Sequence, residues 1–259
     1  MSLVKKINVL SVLVAAAILS GCGSTVKVIT GTVGAAASRV SSPALIDLGL
    51  GNHDLSLTNG TNFHGQVVVN GQKVDTAFQP GQSLYANWGY QPNSSEVPVT
   101  VFFFEGSTGT KLVGVADHVF RVGRGRTNTS DAWTIRNIDI TTSSGKRLPS
   151  STSNPSSFSN FKSKEMKFKR ITYGGTTIVQ VANLTPHVAI ARINGRNKEL
   201  ISPGGYAWIK LESVGTYTNY STLQFVFVNR GVSRDKTVST PSNGVRAECI
   251  ILTDRSILK

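Results

Sequence analysis

Val67-Val68-Val69-Asn70-Gly71 and, 124 residues later, Ile190-Ala191-Arg192-Ile193-Asn194-Gly195 are the stretches on which the fold turns. An Asn-Gly pair after a β-branched run is the strongest short-range hairpin signal, because a type I′ turn needs positive φ at both central residues. Working outward, each stretch is followed by a Pro-Gly corner, Pro80-Gly81 and Pro203-Gly204. Proline there presets φ at the first turn position and glycine supplies positive φ at the second, as a type II turn requires. Aromatic strands come next, Leu84-Tyr85-Ala86-Asn87-Trp88 and Tyr206-Ala207-Trp208-Ile209, then the apolar runs Val101-Phe102-Phe103-Phe104 and Phe225-Val226-Phe227-Val228. Upstream, Leu57-Thr58-Asn59 answers to Val181-Ala182-Asn183. A constant offset of 123 or 124 residues aligns all of these with one indel, which implies a tandem duplication.

Short runs of Val, Ile, Thr, Phe and Tyr with frequent turn residues, and no apolar stripe of period 3.6, predict an all-β protein. The expected architecture is two tandem antiparallel β-sandwich domains of immunoglobulin-like type, over residues 46–140 and 164–259. Residues 141–163, rich in Ser, Thr, Asn and Pro, are expected to be a linker, and each half is expected to fold alone. The turn, strand and corner pattern looks like the small sandwich modules of envelope lipoproteins and surface-layer-associated proteins. That likeness is generic and names no ligand.

The N-terminus reads differently. Lys5 and Lys6 precede a run from Val9 to Leu19 without a charged residue, which is a signal-peptide layout over residues 1–21. The run is too short for the roughly 20 apolar residues of a membrane span. Leu19-Ser20-Gly21-Cys22 resembles the lipobox of bacterial lipoproteins, in which a branched apolar residue and two small ones precede the Cys. The resemblance implies cleavage before Cys22, lipid on its thiol and an acyl chain on its amino group. Gly23, where an Asp commonly marks inner-membrane retention, implies outer-membrane localisation. Residues 22–45, rich in Gly, Ser, Thr and Ala, are expected to form a flexible tether between lipid and body.

Removal of residues 1–21 deletes two lysines and no acid, so the formal charge of +13 falls to about +11 over about 238 residues. A basic surface favours phosphate, sulfate or carboxylate, which the envelope supplies as lipopolysaccharide, anionic lipid or acidic protein faces; no nucleic-acid partner is expected. Two basic clusters stand out. One is Arg121, Arg124 and Arg126; the other is Lys162 to Arg170, in which alternation puts Lys167 and Lys169 on one face and Met166 and Phe168 on the other, with Arg170 following. These six cations are the candidates for anion or partner contact, against a bland reading as a solvated, lysine-guarded strand edge.

Positive signs of catalysis are missing from the sequence. The acids are scattered without a close pair, His53, His64, His118 and His187 occur singly, and no Gly-x-Ser-x-Gly elbow is present. Gly106 to Lys111 has the composition of a phosphate loop without its spacing. With Cys22 committed to lipid, Cys249 reads as a small buried apolar residue. The Asn-x-Thr triplets at Asn59 and Asn183 read as chance sequons. The expectation is therefore a non-enzymatic envelope protein without metal or cofactor beyond the lipid on Cys22. Protein partners in a secretion, pilus, flagellar or surface-layer assembly come first, an anionic glycan second, and a hydrolase assembled only in three dimensions third.

Overall fold

A computed structural model describes residues 26–32, 53–88, 95–106, 111–122, 129–150, 163–168, 175–213, 216–231 and 233–257. The described chain is almost wholly β. A first set of strands comprises β2 (His53–Asn59), β3 (His64–Val69), β4 (Gln72–Lys73), β5 (Ser83–Asn87), β6 (Ser95–Glu105), β7 (Lys111–Val122) and β8 (Thr129–Ile135). A second set comprises β10 (Thr176–Asn183), β11 (Ala189–Ile193), β12 (Arg196–Ile201), β13 (Gly205–Glu212), β14 (Asn219–Phe227), β15 (Ser233–Thr240) and β16 (Val245–Leu252). Two further strands, β1 (Val26–Thr32) and β9 (Lys164–Glu165), flank them.

The same pairing pattern occurs twice. β2 runs antiparallel to β5 and parallel to β8, as β10 does with β13 and β16. β3 pairs β4 and β6, and β6 pairs β7; β11, β12, β14 and β15 repeat those contacts. The sheets are thus mixed rather than purely antiparallel, since the first and last strand of each set are parallel neighbours.

Each set packs two layers around its own core. Leu57, Leu84, Val101, Phe103 and Phe120 centre the first; Val181, Ile209, Phe225 and Leu252 centre the second. The turn readings hold. Asn70 and Gly71 have φ of 49° and 71°, Asn194 and Gly195 of 50° and 77°. Gly81 and Gly204 have φ of 79° and 68°, and the Gln82 and Gly205 amides close their Pro-Gly turns onto Gln79 O and Ser202 O.

The two sets also pack on each other face to face. β6 and β10 are buried on both faces, whereas β2 and β14 alternate buried with more open positions. A strand buried on both faces loses its alternation and becomes a near-continuous apolar run. The outward face of β3, β6 and β7 offers Val68, Phe102 and Val115 to Ala182, Leu184 and Tyr206 of the second set. Beside them Ile178, Trp208, Val245 and Ala247 pack with Val119. A bridge between Val245 and Ser95 joins the two middle layers into one hydrogen-bonded path. A half on its own would expose one of these apolar faces.

Three segments near the expected boundaries are tied to distant parts of the chain. β1 lies inside the expected tether, yet pairs with β13 along its whole length. β9 lies inside the expected second half, yet pairs with Leu84 and Tyr85 of β5, with Met166 and Phe168 buried in the first core. The start of the expected linker is tied down as well: Thr141 bridges Val115 and Arg147, and Ser143 O accepts from the Asp254 amide.

The duplicated hairpins have unequal surroundings. A Cβ on Gly71 would come within 2.2 Å of Trp208 Cβ, whereas one on Gly195 would meet nothing within 4 Å. Gly195→Val should therefore cost only backbone strain, about 1–2 kcal/mol. Gly71→Val adds a clash in the buried interface and should cost more than about 4 kcal/mol or prevent folding. Denaturant midpoints of the full chain measure both.

Candidate functional site

The side chains that set the geometry of this protein are polar groups buried where the sequence is most apolar. On β10, Gln180 sits fully buried within the run Ile178-Val179-Gln180-Val181-Ala182. Its side chain crosses the interface: Oε1 accepts from the Gly71 amide at 2.8 Å, and Nε2 donates to Val68 O at 3.2 Å and Thr100 Oγ1 at 2.5 Å. Gln180 pairs in register with Cys249, and Thr100 with Asp117, so four polar residues face one another between the halves. The Cys249 sulfur lies 3.8 Å from Val99 O and 3.7 Å from His118 O. Desolvation pushes its thiol far above the ordinary value, and Asp117 adds to the shift. A thiol held protonated is a poor nucleophile.

A second polar device occurs in duplicate. Asn59 Nδ2 donates to Phe63 O and Phe78 O, while its Oδ1 accepts from the Thr61 amide and hydroxyl at 3.0 and 2.7 Å. Asn183 repeats this with His187 O, Ile201 O and Thr185 at 3.1 and 2.7 Å. Both asparagines are fully buried. These Asn-x-Thr triplets are structural corners that tie the end of β2 or β10 to the following loop and to the Pro-Gly turn, where Gly81 and Gly204 donate to Asn59 O and Asn183 O. Their recurrence at the 124-residue offset was the signal that separates them from chance sequons. In the two corners His187 answers to Phe63.

Of the sequence-predicted contact residues, the structure describes Arg121 and Lys167. Arg121, at the end of β7, is exposed, with Nε 3.7 Å from Glu96 Oε1. Glu96 Oε2 in turn accepts from the Ala247 amide across the interface at 2.8 Å. Lys167 is exposed on the first half, 3.9 Å from Glu165, opposite in face to Met166 and Phe168 as alternation required. Trp88 stacks on Phe168 at 5.5 Å between ring centroids. Exposed pairs of this kind contribute little stability. Arg124, Arg126, Lys169, Arg170 and the lipobox residues Leu19, Ser20, Gly21 and Cys22 lie outside the described residues. Among the described residues, no group of three or more His, Cys, Asp and Glu is placed to hold a metal. A pocket of about 150 Å³, lined by Phe225, Lys236, Cys249, Ile250 and Ile251, is smaller than the few hundred Å³ of an ordinary ligand site. No protein-family model matches the chain, and no curated protein sequence is similar to it.

Two titrating neighbours on β7 respond to burial in opposite ways. His118 stacks on Trp133 at 5.0 Å and meets Phe120 edge-on at 4.8 Å. Desolvation lowers its pKa below the ordinary 6.5, against the pull of Asp131 and Asp117. The fold favours the neutral imidazole, so this stability is present above 6.5 and is lost as pH falls through the depressed value. Burial raises the Asp117 pKa above 3.8, with Arg147 opposing; that contribution is present below 3.8 and is lost as pH rises through the raised value.

Two outcomes follow from this geometry. Gln180→Met preserves volume but strands the Gly71 N–H and Val68 O in an apolar interface, and should lower unfolding free energy by about 2–4 kcal/mol at unchanged denaturant slope. In His118→Gln, the urea midpoint should fall less between pH 7 and pH 5 than it does in the wild-type chain.

Proposed function

We propose that this chain is a non-catalytic lipoprotein, held in the outer membrane by lipid on Cys22, which serves as a structural or accessory part of a cell-envelope assembly through protein–protein contacts. The observation that carries the reading is the use made of the buried polar residues. Gln180, Asn59, Asn183 and their partners are fully engaged in joining strands, corners and halves, so the interior is committed to a stiff, duplicated scaffold. Each half is read as an immunoglobulin-like sandwich: seven described strands in two layers, a size and layering that suit such modules. The lipobox Leu19-Ser20-Gly21-Cys22 supports the anchor, and Gly23 after it supports the outer membrane.

The alternative is a module that binds an anionic envelope glycan or lipopolysaccharide. The exposure of Arg121 and the basic character of the whole chain favour it.

Metabolic labelling with a fatty acid tests the anchor. The wild-type chain should take up label and fractionate with the outer membrane, and Cys22→Ala should lose both; an unlabelled, soluble wild-type chain would overturn the reading. Purification in mild detergent then separates the two functions. Discrete protein partners support assembly, whereas salt-sensitive recovery of polymer without proteins supports the glycan module.

A further inference from the structure

Strand register fixes the end of the body from which the chain runs back to Cys22. Val26 pairs with Leu211 on β13, Leu211 with Thr177 on β10, and Thr177 with Arg246 on β16. The end row beyond it holds Glu212, Thr176, Val245, Ser95 and Val122. Cys22 is four positions before Val26, a reach of at most about 14 Å. A chain lipidated there is not held off the membrane by a long tether, because β1 returns it to the body almost at once.

The same end carries exposed aromatic surface. Tyr220 pairs with Ser239, whose carbonyl accepts from Thr177 Oγ1 at 2.9 Å and whose hydroxyl accepts from Arg246 Nη1 at 2.6 Å. Tyr220 therefore stands level with the first residue of β1. Tyr217 is held beside it, its carbonyl accepting from Ser213 Oγ at 3.0 Å just past the end of β13. Tyr217 is 80% exposed and Tyr220 71%, more than any other large apolar side chain among the described residues. Arg121, one position inside the end row, and Arg246 on the adjoining row are exposed cations whose carboxylate partners stand 3.7 and 3.6 Å away. Tyrosine combines an apolar ring with a polar tip and concentrates where a bilayer meets water, and arginine adds attraction to anionic headgroups.

We propose that this end of the second half is a membrane-contact surface, with Tyr217 and Tyr220 seated in the headgroup layer and Arg121 and Arg246 facing anionic lipid. The inference rests on the reading of Cys22 as the anchor, since that reading sets the bilayer within reach of this end. Lipid then supplies attachment, and the tyrosines supply orientation: the far end, with Leu200, faces away from the membrane.

The test uses the full mature chain with Cys22→Ser, which carries no lipid, sedimented with vesicles of phosphatidylethanolamine and phosphatidylglycerol. The parent should pellet with the vesicles. Tyr217→Ser combined with Tyr220→Ser should weaken partitioning roughly tenfold. Leu200→Ser, which removes an apolar side chain, 60% exposed, from the far end, should leave it unchanged, and all three chains should melt alike. A parent chain that stays in solution, or a double variant that pellets as well as the parent, overturns the proposal. Because this chain bears no lipid, such a failure leaves the Cys22 anchor standing, and only the labelling experiment removes that.

Discussion

The contact of Gln180 with Gly71, Val68 and Thr100 is the constraint on which the rest of the architecture depends. An amide buried between apolar layers costs more than it returns unless each of its groups is paired. Here the pairing is available only in one alignment of the two halves, with the Asn70-Gly71 hairpin lying over Trp208. A slip along the interface would leave the amide, a backbone N–H and a carbonyl unsatisfied together. The apolar residues around it, Val68, Phe102, Ile178 and Tyr206, supply the attraction; the polar row supplies the alignment. A hydrophobic contact alone is non-directional and would tolerate many such alignments.

That requirement explains why two copies of one strand pattern have diverged where they have. The Asn-x-Thr corner, the type I′ hairpin and the type II turn recur almost unchanged, because each answers a local demand for positive φ or for a partner to a buried carbonyl. Surroundings differ instead. Gly71 lies under an indole ring and Gly195 in solvent, although both satisfy the same turn. The copies likewise cover an equivalent sheet edge with different segments: β9 runs along β5 and β1 along β13. Covered edges do not offer free N–H and C=O groups to other chains.

The perturbed groups belong to this scaffold. Cys249, Asp117 and His118 depart from their ordinary titration because burial penalises charge, and two of the three lie along the polar row between the halves. Such shifts mark functional sites in many enzymes. In this protein Cys249 and Asp117 face the row of polar groups between the halves. Among the described residues the two most exposed large apolar side chains, Tyr217 and Tyr220, lie at the end where β1 begins.

Much of this was legible in the residues alone. The all-β class, the duplication, both kinds of turn with their positive φ, and the inward face of Met166 and Phe168 all follow from local rules: a type I′ corner selects Asn-Gly, a type II corner selects Pro-Gly, and a half-buried strand alternates. Such rules act over a few residues, so the sequence states them directly. The stacking of the halves, the pairing of β1 and β9 with distant strands, and the roles of Gln180 and the Asn-x-Thr corners depend on residues about 20 to 180 positions apart. A lone glutamine among valines signals only that something must answer it. What answers it, and hence where the halves meet and at which end β1 begins, was decided by tertiary packing, because hydrogen-bond partners and apolar faces are chosen by proximity in space and not along the chain.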